Sequence, residues 1–300
     1  MKIQIITPSR LHFGFFNFYE FTSAGVAIEK PNFFIEVEKS KKLKVEGFAR
    51  ERARRYAKIF LKKFNLSEMV KIQVKEEIPE HVGLGSGTQL ALGIGTAISE
   101  LFGLNLSTEE IANIAKRGKI SKVGTLAFKY GGFVIDDEKI FNCKLPDSWI
   151  WLITIPKNQR GLSGKKEDVA FKKLPCISEK YREKLRMVKE KMINSLIEKD
   201  IFSFGKAINE LDIENGKVFS KFQNGVYISK DVENGIKILL ENGAFTAGQS
   251  SWGPGFYGLV DKKKKAIEIQ KKLRSFFCEE ADTFITKTNN KGAKIRWLEH

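Results

Sequence analysis

Cysteine and histidine are scarce, at three of each in 300 residues. Cys143, Cys176 and Cys278 are widely separated, odd in number and outside any CxxC pair, and no histidine stands near them at metal spacing. That excludes a zinc ribbon or a disulfide framework and leaves reduced thiols that pack as small hydrophobes. No N-terminal apolar segment resembles a signal peptide, and no run approaches the ~18 apolar residues of a membrane span. A cytoplasmic, non-membrane protein is therefore expected. Internal repeats and low-complexity stretches are missing as well. So are the aromatic-rich RNA motifs and finger spacings that would turn a basic chain toward nucleic acid, and none is expected as a partner.

What the chain has in excess is positive charge, +16 in all. Apart from Lys262–Lys265, which reads as a solvated turn before a helix, the lysines are scattered. Beside nucleic acid, the readings are an acidic membrane or protein partner, a site for polyanionic small molecules, or the Lys- and Glu-rich surface of a protein from a hot environment. The length suits one large domain or two lobes.

Along the chain, residues 2–6 alternate as a strand and meet a turn signal at Thr7-Pro8-Ser9. Further strands are expected at Val26–Ile28 and Phe33–Glu38, separated by Pro31, and at Val70–Val74. Apolar residues at helical spacing mark a helix over 50–64. A second helix over 89–102 is apolar all round and stops at Gly103; Ser107-x-x-Glu110 is a capping box for a third. Strand-like segments follow at 133–135 and 149–155, then a polar loop from Pro156 to Gly164 that suits a lobe boundary. Helices over 178–199, 201–215, 231–241 and 266–277 and strands at 256–260 and 283–286 complete the pattern. Asp212 and Glu214, on one of these helices, are expected to be exposed. Strands and helices mixed in two halves predict an α+β protein divided into residues 1–156 and 157–300.

The chemistry is most legible at His81-Val82-Gly83-Leu84-Gly85-Ser86-Gly87-Thr88-Gln89. Alternate glycines allow positive φ and let backbone N–H groups approach a ligand. The helix behind them offers unpaired N–H groups and the positive end of its dipole, which together make a cradle for phosphate or diphosphate. Ser86 and Thr88 add hydroxyls. The loop is no Walker A sequence, and no suitably placed acidic residue follows to make a dinucleotide fingerprint.

Pro79 to Gly87 resembles the central motif of the GHMP kinase superfamily, P-x-x-x-G-L-G-S-S. Pro8-Ser9-Arg10-Leu11-His12-Phe13-Gly14 resembles its first motif, and Gly248-Gln249-Ser250-Ser251-Trp252-Gly253-Pro254-Gly255 its third. The resemblance implies a two-lobed fold: an N-terminal β-rich lobe carrying the phosphate loop, and a C-terminal ferredoxin-like α+β lobe. Two departures from the kinases stand out. Gly87 replaces the usual second serine, and Lys122–Phe128, upstream of Gly131-Gly132, lacks the carboxylate many members place there.

The wording of the motifs, with Gly124-Thr125-x-x-Phe128-x-x-Gly131-Gly132-Phe133 and Gly161-Leu162-Ser163-Gly164-x-x-Glu167, is similar to the β-ribofuranosylaminobenzene 5′-phosphate synthases of archaeal methanopterin biosynthesis. That similarity implies a pentosyltransferase joining phosphoribosyl diphosphate to 4-hydroxybenzoate or 4-aminobenzoate, with release of CO2 and diphosphate, Mg2+ as cofactor and a homodimer. An ATP-dependent small-molecule kinase of the same superfamily is the alternative, and a nucleic-acid-binding relative the third.

The candidate catalytic set is Arg10, His12, Glu167, Gln249 and Ser250. Arg10 suits a bidentate oxyanion contact or serves as a surface cation; His12 is a ligand contact or a structural group. Glu167 would ligate Mg2+, accept a proton, or sit in a solvated loop. The candidate diphosphate and substrate set is Gly83, Leu84, Gly85, Ser86, Gly87, Thr88, Gln89, Arg160, Lys165, Ser251 and Trp252. Trp252 would stack on an aromatic acceptor or plug the core. Glu167 and Ser86 are the candidate metal ligands.

Overall fold

A computed structural model of the chain describes residues 1–298 apart from Glu68, Ser163 and Asn224, and at Lys165 the backbone only. The expectations for Ser163 and for the Lys165 side chain thus fall outside the described residues.

Two long antiparallel strands, β1 (Lys2–Phe15) and β2 (Ser23–Ser40), open the fold. The turn expected at Thr7-Pro8-Ser9 is instead a bulge inside β1, where the ladder jumps from Thr7↔Phe33 to Ser9↔Ile28. The same jump places Pro31 opposite no partner on β1, so its missing N–H costs no ladder bond and β2 runs on through it. β3 (Lys44–Gly47), α1 (Arg50–Lys63) and β4 (Met69–Glu76) follow. β4 pairs with β2, and β3 lies parallel to β4 at the edge.

Helix α2 (Ser86–Phe102) lies on this sheet. Its glycines permit the approach: a Cβ on Gly93 would stand 2.8 Å from Ile35 Cδ1. α3 (Thr108–Ile114) starts on the predicted capping box, with the Ser107 hydroxyl accepting from Glu110 N and the Glu110 carboxylate accepting from Ser107 N. α4 (Val123–Tyr130), β5 (Phe133–Asp136) and β6 (Phe141–Cys143) complete the N-terminal part.

The second sheet comprises β7 (Ile150–Pro156), β8 (Thr246–Gln249), β9 (Phe256–Val260) and β10 (Ala281–Lys287). Between β7 and β8 run α5 (Lys165–Lys172), α6 (Glu179–Ile197), α7 (Ile201–Gln223) and α8 (Lys230–Glu241); α9 (Lys263–Phe277) joins β9 to β10. The order β10-β7-β9-β8, antiparallel throughout, is that of a ferredoxin-like unit.

The strands do not divide at residue 156. β7 sits inside the second sheet, while the last strand, β11 (Lys294–Leu298), returns to pair with β1. One apolar core runs continuously from the first sheet to Phe204, Ile208 and Leu211 of α7, with a smaller one beneath α8 and α9. Because α7 packs on both β1 and β8, the parts that meet at the site are held in a fixed relation.

Candidate active site

Four segments distant in sequence are tied together by backbone. Arg10 N donates to Leu84 O at 3.2 Å, and the Arg10 guanidinium donates to Gly83 O. Ser251 N donates to His12 O, Gly255 N to Val82 O, and Gly161 N to His81 O at 2.7 Å. A Cβ on Gly83 would come within 2.0 Å of Ser250 O, and Gly83 has φ +80°. Only glycine admits so close an approach in that conformation. Gly85, φ +76°, then turns the chain into α2.

These segments floor a cleft of about 650 Å³. Six cations line it: Arg10, Arg52, Arg55, Lys116, Arg117 and Lys119. Against them stand the carboxylates Glu80, Glu167 and Asp168. Arg52 is already committed to Glu80, Glu77 and the Ser86 hydroxyl. Arg117 lies over the Tyr56 ring at 5.6 Å, donates to its hydroxyl, and faces Gly87.

Burial lowers the Arg10 pKa to about 10, with Glu167 pulling the other way. Burial, reinforced by Arg10, holds His12 well below the ordinary imidazole range, so its ring is neutral at pH 7. Burial raises Glu167, opposed by Arg10 and by the Trp252 indole, whose Nε1 donates to Oε1 at 3.2 Å. Trp252 also packs edge-on against Phe219, centroids 4.6 Å apart.

Of the sequence candidates, Arg10, His12, Glu167, Ser251 and Trp252 line this cleft together with Gly83–Thr88. Others are turned to structural work. The Ser86 hydroxyl donates to Ile78 O at 2.6 Å and accepts from Arg52, which anchors it to the loop before α2 and to α1. Gln89 is buried against α4, donating to Gly124 O. Ser250 accepts from His12 N and donates to Gly83 O, fastening two motifs. The Gln249 carboxamide is consumed by Ile228 N, Gln223 and Ser251 O. Arg160 is exposed and bonds its own loop. Asp212 and Glu214 are not exposed as expected: each is only 6% accessible.

Sequence reading missed the lining cations other than Arg10. Arg52 and Arg55 share a helix face at i, i+3, and Lys116-Arg117-Gly118-Lys119 is a basic cluster at a glycine; both patterns were visible without being diagnostic.

Comparison with known proteins bears directly on this arrangement. The GHMP kinases N terminal domain model matches residues 51–132 and the GHMP kinases C terminal model residues 192–278. The β-ribofuranosylphenol 5′-phosphate synthase of Archaeoglobus fulgidus is 30% identical over 98% of this chain and 99% of its own. The chain belongs to the β-ribofuranosylphenol 5′-phosphate synthase family, within the GHMP kinase superfamily. The Methanocaldococcus jannaschii family member is likewise 30% identical, over 97% of this chain and 99% of its own. Among solved structures, homoserine kinase from Cytophaga hutchinsonii superimposes with a TM-score of 0.75 at 16% identity, covering 98% of this chain and 97% of that one. That likeness concerns the fold alone. Within the synthase family frame, the three sequence motifs and Gly161 converge on one cleft.

Proposed function

We propose that this protein is a pentosyltransferase that joins phosphoribosyl diphosphate to 4-hydroxybenzoate, releasing diphosphate and CO2. The observation that carries the reading is the position of Arg117: its guanidinium faces Gly87 at the start of α2, a few ångströms from where a serine side chain would begin. In a superfamily whose kinases usually have that serine, this chain has a fixed cation instead. Arg10, Arg117 and the amides at the head of α2 form an oxyanion-holding surface suited to a departing diphosphate.

The C1–O bond of the ribose breaks as charge passes to the diphosphate. The ring carbon bearing the carboxylate, made electron-rich by its para hydroxyl, bonds to C1. Loss of CO2 returns its electron pair to the ring and restores aromaticity, so no organic redox cofactor is required. Phenol in the names of the relatives supports 4-hydroxybenzoate over 4-aminobenzoate. The product would be the ribosyl-arene unit of methanopterin-type cofactors.

The cleft's donor chemistry fits Mg2+. Glu167 and Asp168 supply hard oxygens beside the anion site, and Mg2+ commonly binds through one or two carboxylates plus substrate phosphates. Burial makes the Glu167 charge costly, which a cation would relieve. The bound ion would neutralise charge on the leaving group.

Incubation with phosphoribosyl diphosphate, Mg2+ and 4-hydroxybenzoate should release CO2 and diphosphate in equal amounts. Absence of both products, together with ATP-dependent phosphorylation of another metabolite, would replace this reading with the kinase one.

A further inference from the structure

Beside the cleft lies a narrow annex of about 40 Å³. Four residues line both spaces, His12, Phe15, Ser251 and Trp252, so the annex adjoins the cleft across them. Phe13, Phe15 and Phe219 give it apolar walls. Its polar interest is Asp212 of α7. Oδ1 of that carboxylate accepts from Gln249 N at 3.2 Å, whereas Oδ2 is fully buried and has no hydrogen-bond partner among the described residues. An orphaned carboxylate oxygen in an aromatic cavity is expensive. Of the side chains around it, the Tyr227 hydroxyl bears on the carboxylate as a hydrogen-bond donor, and the others are engaged elsewhere. Asn215 is committed to Phe15 N, Phe15 O and Leu211 O, and Gln223 donates to Val226 O and accepts from Gln249.

The size of the annex decides what it can take. Forty cubic ångströms admits one or two water-sized groups and not an aromatic ring. A ring held at the mouth by Phe15 and Trp252 could pass only its para substituent inward, leaving its carboxylate end toward Arg10 and the glycine loop.

Building on the pentosyltransferase reading, we propose that the annex receives the para hydroxyl of the aromatic acceptor and that Asp212 Oδ2 accepts its hydrogen. As the ring carbon bonds to C1 of the ribose and diphosphate leaves, the O–H proton passes to Asp212 and the ring becomes a neutral dienone. When CO2 departs, its electron pair returns through the ring to the oxygen, which takes the proton back. The step is balanced with no further reactant.

The groups facing this carboxylate are His12 from β1, Tyr257 from β9 and Tyr227 from the segment between α7 and α8. His12 is held neutral, and burial raises both tyrosines far above their usual range, so none competes as a charged partner at pH 7. Glu233 bears on Tyr227 and is itself paired with Lys230. In the unliganded protein burial raises Asp212 to about 8, opposed by Tyr227 and by Gln249 N. A hydroxyl donating to Oδ2 favours the ionised form.

The test compares wild type with Asp212→Asn, which keeps the Oδ1 acceptor. By calorimetry, wild type should bind 4-hydroxybenzoate about tenfold or more tighter than benzoate, and Asp212→Asn should bind both alike. Its kcat should fall by about a hundredfold or more with little change in KM for phosphoribosyl diphosphate. Wild-type kcat is expected to rise toward pH 8 as Asp212 ionises, and that rise should be absent in the variant. Val226→Phe, which adds bulk to the annex wall and leaves the carboxylate in the sequence, should abolish the same preference and serves should Asp212→Asn fail to fold. A preference for 4-hydroxybenzoate that survives in a folded Asp212→Asn or Val226→Phe protein overturns the inference. A wild type with the binding preference but without CO2 release would overturn the reaction and leave the annex assignment standing.

Discussion

A side-chain carbon on Gly87 would stand 3.1 Å from Arg117 Nη2 and 3.2 Å from its Cζ. The guanidinium is fixed there from behind by the ring and hydroxyl of Tyr56. Gly87→Ser should therefore push Arg117 off its seat. We expect KM for phosphoribosyl diphosphate to rise about tenfold, and Arg117→Ala to do at least as much, with little change in melting temperature. Steady-state kinetics decide it: unchanged KM in both variants would remove Arg117 from the diphosphate site.

Gly83 presents a harsher constraint. Its φ is +80° and a Cβ would lie 2.0 Å from Ser250 O, a backbone atom that cannot swing away. Gly83→Ala should destabilise the protein by about 2–4 kcal/mol and loosen the loop from the third motif. Denaturant midpoints measure the first effect. A variant of wild-type stability would show that the loop and the Ser250 turn separate at small cost.

Burial of Asp212 sets a pH signature. Its folded pKa, raised to about 8 from 3.8, means that between these values the folded protein holds a proton which the unfolded chain has released. Stability from this group is thus complete below the unfolded pKa and declines by up to about 1.4 kcal/mol per pH unit as pH climbs toward 8. Asp212→Asn lacks the ionisation, so its melting temperature relative to wild type should increase steadily over that window. Parallel curves for the two proteins would contradict a buried, proton-holding carboxyl.

Glu167 is raised by burial and restrained by Arg10. Glu167→Gln keeps the indole hydrogen bond to Oε1 but discards the charge. We expect the Mg2+ concentration for half-maximal activity to rise about tenfold or more, with thermal stability unchanged or slightly higher at neutral pH. A Mg2+ titration identical to wild type would assign the metal to other groups.

Much of this was legible before any tertiary structure. The capping box at Ser107 and Glu110, the all-round apolar α2 and the glycine punctuation of residues 83–87 are local signals, and each forms as its local pattern dictates. Misreadings came where long-range pairing overruled local punctuation. Pro8 and Pro31 resemble strand breakers, yet a shared register jump lets both β1 and β2 continue. Charge on a helix resembles solvation, yet α7 is covered on two sides and buries Asp212 and Glu214.

By itself, the sequence determined which residues could approach a phosphate, because glycine φ freedom and helix-head amides are properties of neighbours along the chain. It determined the family as well, through motifs whose order survives without any contact being known. Only the tertiary structure decided which side chains within those motifs remain available. Ser86, Gln249 and Ser250 are spent on partners 2 to 238 residues away, while Arg10, Arg117, Glu167 and Asp212 come to face the cleft and its annex. Hydrogen-bond commitment is a property of packing, and packing is set by the whole chain at once.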